Sequence, residues 1–186
     1  MAGRLLRHNT VLLGLVALGV LTRILPHLPN MTAVGAAGLV GAALFYHRRW
    51  AMWVPMLILL ISDVIFGLFT PWKGFYAGQL FVYAGFLAYS AVGYFYLRKR
   101  LTLGRLMAGA IAASAIFFLL SNFGVWLAGG LYPATPAGLW TAYVAALPFW
   151  GNQLLGDLLY GGLLIAAWRL IQQWRSGWVL APAAVE

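Results

Sequence analysis

Arg23-Ile24-Leu25-Pro26-His27-Leu28-Pro29-Asn30 divides two apolar runs. Proline cannot continue a helical hydrogen-bond ladder, so Pro26 and Pro29 end the helix that precedes them. The octet adds an arginine, a histidine and an asparagine to a chain that is 63% hydrophobic and 8% charged. Soluble domains carry about 25% charged residues. A polar, proline-rich turn between two greasy runs reads as the water-facing end of a membrane helix pair.

The same pattern repeats along the chain. A run of about 20 apolar residues crosses a bilayer, and the runs here predict an all-α polytopic membrane protein of one domain, residues 1–186. Six spans are expected, at 10–25, 31–46, 50–69, 77–97, 106–127 and 149–171. Arg4 and Arg7 precede the first run as in a signal peptide, but no small-x-small cleavage site follows, so it is read as a retained span. Gly38 with Ala42, and Ala37 with Gly41, put small residues at helical spacing in the second run. Such spacing serves close packing within the protein or docking of a partner helix. Residues 128–148, with Gly129, Gly130, Pro133 and Pro136, read as a loop with a short interfacial helix able to act as a lid.

The net charge of +9 is a topology signal rather than a sign of nucleic-acid binding. Arg4, Arg7, Arg48, Arg49, Arg98, Lys99, Arg100, Arg105, Arg169 and Arg175 fall on one side of the expected spans. Only Arg23 and Lys73 fall on the other. Ten against two, all twelve cations of the chain, predicts cytoplasmic N- and C-termini.

Three acids exist, and Glu186 is the last residue. Asp63 and Asp157 lie inside apolar runs, where each costs on the order of 2.5–3.5 kcal/mol on insertion scales. Counting about 1.5 Å per residue from the boundary at Trp50 puts Asp63 in the outer half. Asp157 is expected about two turns into span six from the same side. Asn122, Asn152 and Gln153 fall in that half as well, with Arg23, His27 and Asn30 at its edge. Polar groups confined to one half suit a cup open to the outside better than a path across the membrane. The expected substrate-binding set is Arg23, His27, Asn30, Asp63, Tyr83, Asn122, Asn152 and Asp157. Blander roles stand beside it: Arg23 bridging to Asp63 or Asp157, the amides joining helices, and Phe81, Phe86 and Tyr89 packing with Tyr83 or walling an apolar pocket. Ser62-Asp63-Val64-Ile65-Phe66-Gly67 and Gly156-Asp157-Leu158-Leu159-Tyr160-Gly161 are alike, as in a half-repeat or by chance.

No P-loop, His-Glu-x-x-His or Gly-x-Ser-x-Gly motif occurs, and no cysteine. The chain has no ATPase site of its own and no intrinsic cofactor is expected. An intramembrane enzyme acting on lipid is the rival reading, and a structural subunit without a ligand is another.

Arg23-x-x-Pro26-His27-x-Pro29-Asn30, the small-residue second run, Pro55 and Ser62-Asp63 together resemble the six-span S-components of energy-coupling factor (ECF) vitamin transporters. The resemblance is strongest to the cobalamin-binding, BtuM-type S-components. It implies a subunit that binds a micronutrient at the outer face. The subunit would then work with a transmembrane coupling protein and an ATPase pair, and release its cargo inside. It also implies cobalamin (vitamin B12) or a related corrinoid as bound substrate, with His27 as axial ligand of the corrinoid cobalt. Another vitamin or a metal ion is the alternative cargo. Part of that branch places a cysteine on the second cobalt face; this chain has none.

Overall fold

Prolines and glycines set the element boundaries. The computed structural model describes residues 2–44, 48–71 and 74–180. Helix α1 (Ala2–Ile24) stops just short of Leu25-Pro26, since the residue before a proline is pushed out of the helical region. Helix α2 (Val34–Leu44) follows a nine-residue turn, and α3 (Arg48–Phe69) carries Pro55 within it. Helix α4 (Gln79–Phe95) starts after Gly78, whose φ of 86° suits glycine. A Cβ there would also lie 2.7 Å from the Gly124 carbonyl oxygen. A short 3₁₀ turn (Leu97–Lys99) leads to α5 (Leu103–Ala128), capped by the Thr102 side chain, which accepts from the Arg105 amide.

Helix α6 (Pro136–Leu180) departs from the expected layout. The segment 128–148 is not a loop with a separate helix. Gly129 and Gly130, both at positive φ, make the turn, and Thr135 accepts from the Gly138 amide at the start of α6. Pro136 opens the helix, where a missing N–H costs nothing, and the helix runs on through Pro148. Its 45 residues extend about 67 Å, more than twice the ~30 Å hydrocarbon core. The Tyr143 hydroxyl donates to Leu119 O, and the Trp150 indole donates to Ser114 Oγ, so the first part of α6 runs antiparallel along α5.

The described residues are thus all-helical, with six α-helices. Four helical stretches are long and apolar enough to cross a membrane: Met52–Phe69, Gln79–Lys99 (α4 with the 3₁₀ turn), Leu103–Ala128 and Pro136–Trp174. The apolar part of α1, Thr10–Ile24, is shorter. Helix α2, at 11 residues, is about 16 Å long, half a hydrocarbon core. It needs no lipid-facing length, because every residue from Val34 to Ala42 is buried. The other five α-helices pack around it. Its small residues serve that packing. A Cβ on Gly38 would lie 3.2 Å from Tyr89 Cβ, and one on Gly41 2.9 Å from Leu15 Cδ1. From the α4 side, a Cβ on Gly93 would lie 2.1 Å from the Leu39 carbonyl oxygen. The outer surface is apolar instead, with Leu68, Phe69 and Leu80 widely exposed, as befits helices solvated by lipid.

The two ends of the bundle differ. One gathers the α1–α2, α3–α4 and α5–α6 connections and the polar groups described next. The other carries the 3₁₀ turn, where Arg169 donates to Leu101 O and Arg105 to Tyr96 O. Lys73 and Glu186, used in the sequence reading, lie outside the described residues.

Candidate functional site

The turn between α1 and α2 is held in place by its own hydrogen bonds. Met31 N donates to Leu28 O, Thr32 N to Asn30 O, and Ala33 N to the Thr22 hydroxyl. Asn30 has a φ of 64°, a left-handed conformation that asparagine tolerates better than most residues. From across the bundle, Asn152 of α6 donates to Pro29 O at 3.1 Å. His27 is exposed, and its Nδ1 lies 2.7 Å from Leu25 O. A carbonyl oxygen only accepts, so Nδ1 carries the proton. In the neutral ring Nε2 is then a free lone pair.

Arg23, one turn before this segment, points into the bundle. Its Nη1 lies 2.8 Å from Asp63 Oδ1, 2.5 Å from Ser62 Oγ and 3.5 Å from Leu59 O. The Phe66 ring lies beneath the guanidinium, 5.5 Å from Cζ. The second Asp63 oxygen accepts from Gln79 Nε2 at 2.5 Å and from the Tyr83 hydroxyl at 2.9 Å. A buried carboxylate is tolerated when paired and hydrogen-bonded, and Asp63 is both.

Between these groups, α5 and α6 lies a cavity of about 350 Å³. Its polar lining is Arg23, His27, Asn30, Thr32, Ser121 and Asn122. Asn122 spends its amide donor on Phe118 O at 2.8 Å, which leaves its carbonyl oxygen as an acceptor. The walls are aromatic: Phe66 and Tyr76 on one side, Phe86 and Phe117 below, Phe118, Phe149 and Trp150 opposite. Burial pushes the Tyr76 phenol up, the Asp63 carboxylate adds to the effect and Arg23 opposes it. Tyr76 therefore stays a neutral hydroxyl at physiological pH. It also borders an apolar groove beside Leu60, Phe75 and Leu80, which Tyr83 lines from the other side.

Of the eight expected residues, Arg23, His27, Asn30 and Asn122 line the cavity. Asp63 and Tyr83 act behind it through Arg23, and Asn152 fastens the turn. Asp157 stands apart. It is 1% exposed and accepts the Tyr89 hydroxyl at 2.5 Å, while Gln153 donates to that hydroxyl at 2.9 Å. Tyr89 lies ten residues along α4 from Gln79, about 15 Å by helical rise. Asp157 therefore sits deeper than Asp63 and does not converge on the mouth, contrary to the expectation from sequence. The physical reason is that α6 begins at Pro136 rather than near 149, which places more than five turns before Asp157 instead of two. Reading the sequence also passed over Gln79, whose single amide at a helix start looks like an interfacial residue, and Trp150.

A family model matches residues 4–180, which take in the cavity and both aspartates. The chain belongs to DUF6580, a family of unknown function. No curated protein and no solved structure matches it. For this DUF6580 member, chemistry has to be argued from the cavity itself.

Proposed function

We propose that this protein is a substrate-binding membrane subunit for uptake of a ring-bearing micronutrient, with cobalamin or a related corrinoid as first candidate. The observation that carries the reading is the aromatic cavity at one end of the bundle, with His27 Nε2 free beside it. Small-molecule sites are mostly apolar with a few placed polar groups, and span roughly 300–1,000 Å³. At about 350 Å³ this cavity is too small to enclose a corrinoid. The macrocycle would lie across the mouth, one edge among the aromatic rings, with its cobalt facing His27. A histidine whose Nδ1–H is fixed on a backbone carbonyl is set up to ligate through Nε2. Another vitamin, or a metal ion, is the second choice of cargo.

The basic residues support an orientation. Arg98, Lys99, Arg100, Arg105 and Arg169 lie at the end away from the cavity, so the positive-inside rule turns the cavity outward. In this reading both termini are cytoplasmic in a bacterial inner membrane, crossed six times in an ECF S-component-like bundle. A coupling protein with two ATPases would drive release inside. Since α2 is buried, that partner would dock on other helices. The lipid-enzyme reading has less support, because Asp63 is already engaged by three donors and is not among the residues that line the cavity.

The test is equilibrium binding of a panel to the purified protein: cobalamin, cobinamide, riboflavin, thiamin and biotin. Tight binding of one member is expected, with corrinoids first. A folded protein that binds none of them contradicts the proposal.

A further inference from the structure

Helix α4 serves both intramembrane aspartates in the same way. Tyr83 donates to Asp63, with Gln79 beside it; Tyr89 donates to Asp157, with Gln153 on its hydroxyl. Gln79 reaches the carboxylate itself and Gln153 only the tyrosine, but the main difference is the cation. Asp63 Oδ1 is met by the Arg23 guanidinium at 2.8 Å, whereas Asp157 Oδ1 is buried and has no hydrogen-bond partner. Gly35 of α2 packs beside it. A Cβ there would lie 2.0 Å from Oδ1, so the oxygen has close packing on that side but no donor group.

A carboxylate sealed from water needs a cation. Arg23, the cation that lines the cavity among the described residues, is taken by Asp63. In the empty protein Asp157 therefore holds a proton in place of a cation. Tyr89 is the titratable group that faces it; Gln153, Gly35 and the nearby Ser114 carry no charge.

The site lies one layer beneath the cavity. Phe86 and Phe117 line the cavity floor and pack on the Tyr89 ring, with centroids 5.5 and 6.4 Å away. Trp150 lines the cavity as well and closes onto Ser114, which abuts the Tyr89 hydroxyl. A rotation of Trp150 off Ser114 would open this layer. The floor is thus a set of π faces over an uncompensated carboxyl group. Both features attract positive charge in a medium of low dielectric.

We infer that Asp157 is the counter-charge for a cationic nitrogen on the ligand, so that among cargoes other than a corrinoid the cavity selects a small ring bearing a protonated or quaternary amine. The ligand cation replaces the Asp157 proton, which leaves to solvent. This rests on the reading that the cavity binds a ligand, and it adds the sign of that ligand's charge.

Two probes of similar shape test it on the full chain in nanodiscs: benzyltrimethylammonium and the neutral alcohol 2-methyl-1-phenyl-2-propanol. Titration calorimetry in buffers of different ionisation enthalpy gives affinity and protons released together. The cation is expected to bind about tenfold tighter or better, releasing close to one proton, and Asp157→Asn should remove both the preference and the release. Equal binding of the two probes, or a preference that survives Asp157→Asn, overturns the inference. If the variant does not fold, the proton count on the wild type decides: none released overturns it. A vitamin that binds while benzyltrimethylammonium does not also overturns the inference but leaves the binding function standing. Failure of both probes and of the whole vitamin panel overturns both.

Discussion

Arg23 and Asp63, forty residues apart in sequence, meet at 2.8 Å inside the bundle. The pair joins α1 to α3 and fixes the one guanidinium that faces the cavity. Arg23 is 21% exposed at its side chain and Asp63 5%, so solvent screens the pair little. Asp63→Ala leaves a largely buried cation unpaired and is expected to cost about 3–5 kcal/mol. The double variant Arg23→Met with Asp63→Leu should recover much of that loss, because replacing both partners by apolar groups is often neutral. Unfolding of the three proteins in detergent measures this; a double variant as unstable as Asp63→Ala would contradict it.

Gly35 and Asp157 give a second check on packing. A Cβ on Gly35 would lie 2.0 Å from Asp157 Oδ1 and 2.8 Å from Tyr89 Cε1. Gly35→Ala should therefore destabilise by about 1–3 kcal/mol. Combined with Asp157→Ala, which opens space at that point, the loss should be less than additive. Gly162, with nothing within 4 Å of its Cβ position, is the control: Gly162→Ala should be neutral or stabilise by up to about 1 kcal/mol. Thermal melts of the four variants decide it.

How much of this was legible in the sequence depends on the residue. The Arg23–Asp63 pair was within reach, because a chain with two internal acids leaves an intramembrane arginine few partners. The end of α1 was fixed by Pro26. The start of α6 was not, because Pro136 and Pro148 look alike on paper. Only the Thr135 cap and the helix's packing on α5 show that the first proline opens the helix and the second is carried inside it. That one boundary moved Asp157 from the mouth to the layer below. The aspartates of the two alike hexapeptides each receive an α4 tyrosine. Tyr83 was among the expected site residues, but Tyr89 could not be told from a packing aromatic by sequence.

Asn152 tests whether the α1–α2 turn must be held for ligand binding. It makes a single hydrogen bond, to Pro29 O, so Asn152→Ala should cost about 1 kcal/mol of stability. If the turn presents His27 and Asn30 to the ligand, affinity should fall about fivefold or more while the melt shifts little. Limited proteolysis should also cut the turn faster in the variant. Unchanged affinity would show that the strap has no part in binding.

The most direct test of the central claim is calorimetric titration of cobinamide, which brings no lower base of its own, into wild type and His27→Ala. The account predicts tight binding to the wild type, with a change in the visible absorption of the corrin as an imidazole takes an axial position. It predicts that both are lost in His27→Ala, a variant of an exposed turn residue that should fold normally. A wild type that leaves the cobinamide spectrum unchanged, or a variant that binds as tightly with the same spectrum, would contradict it.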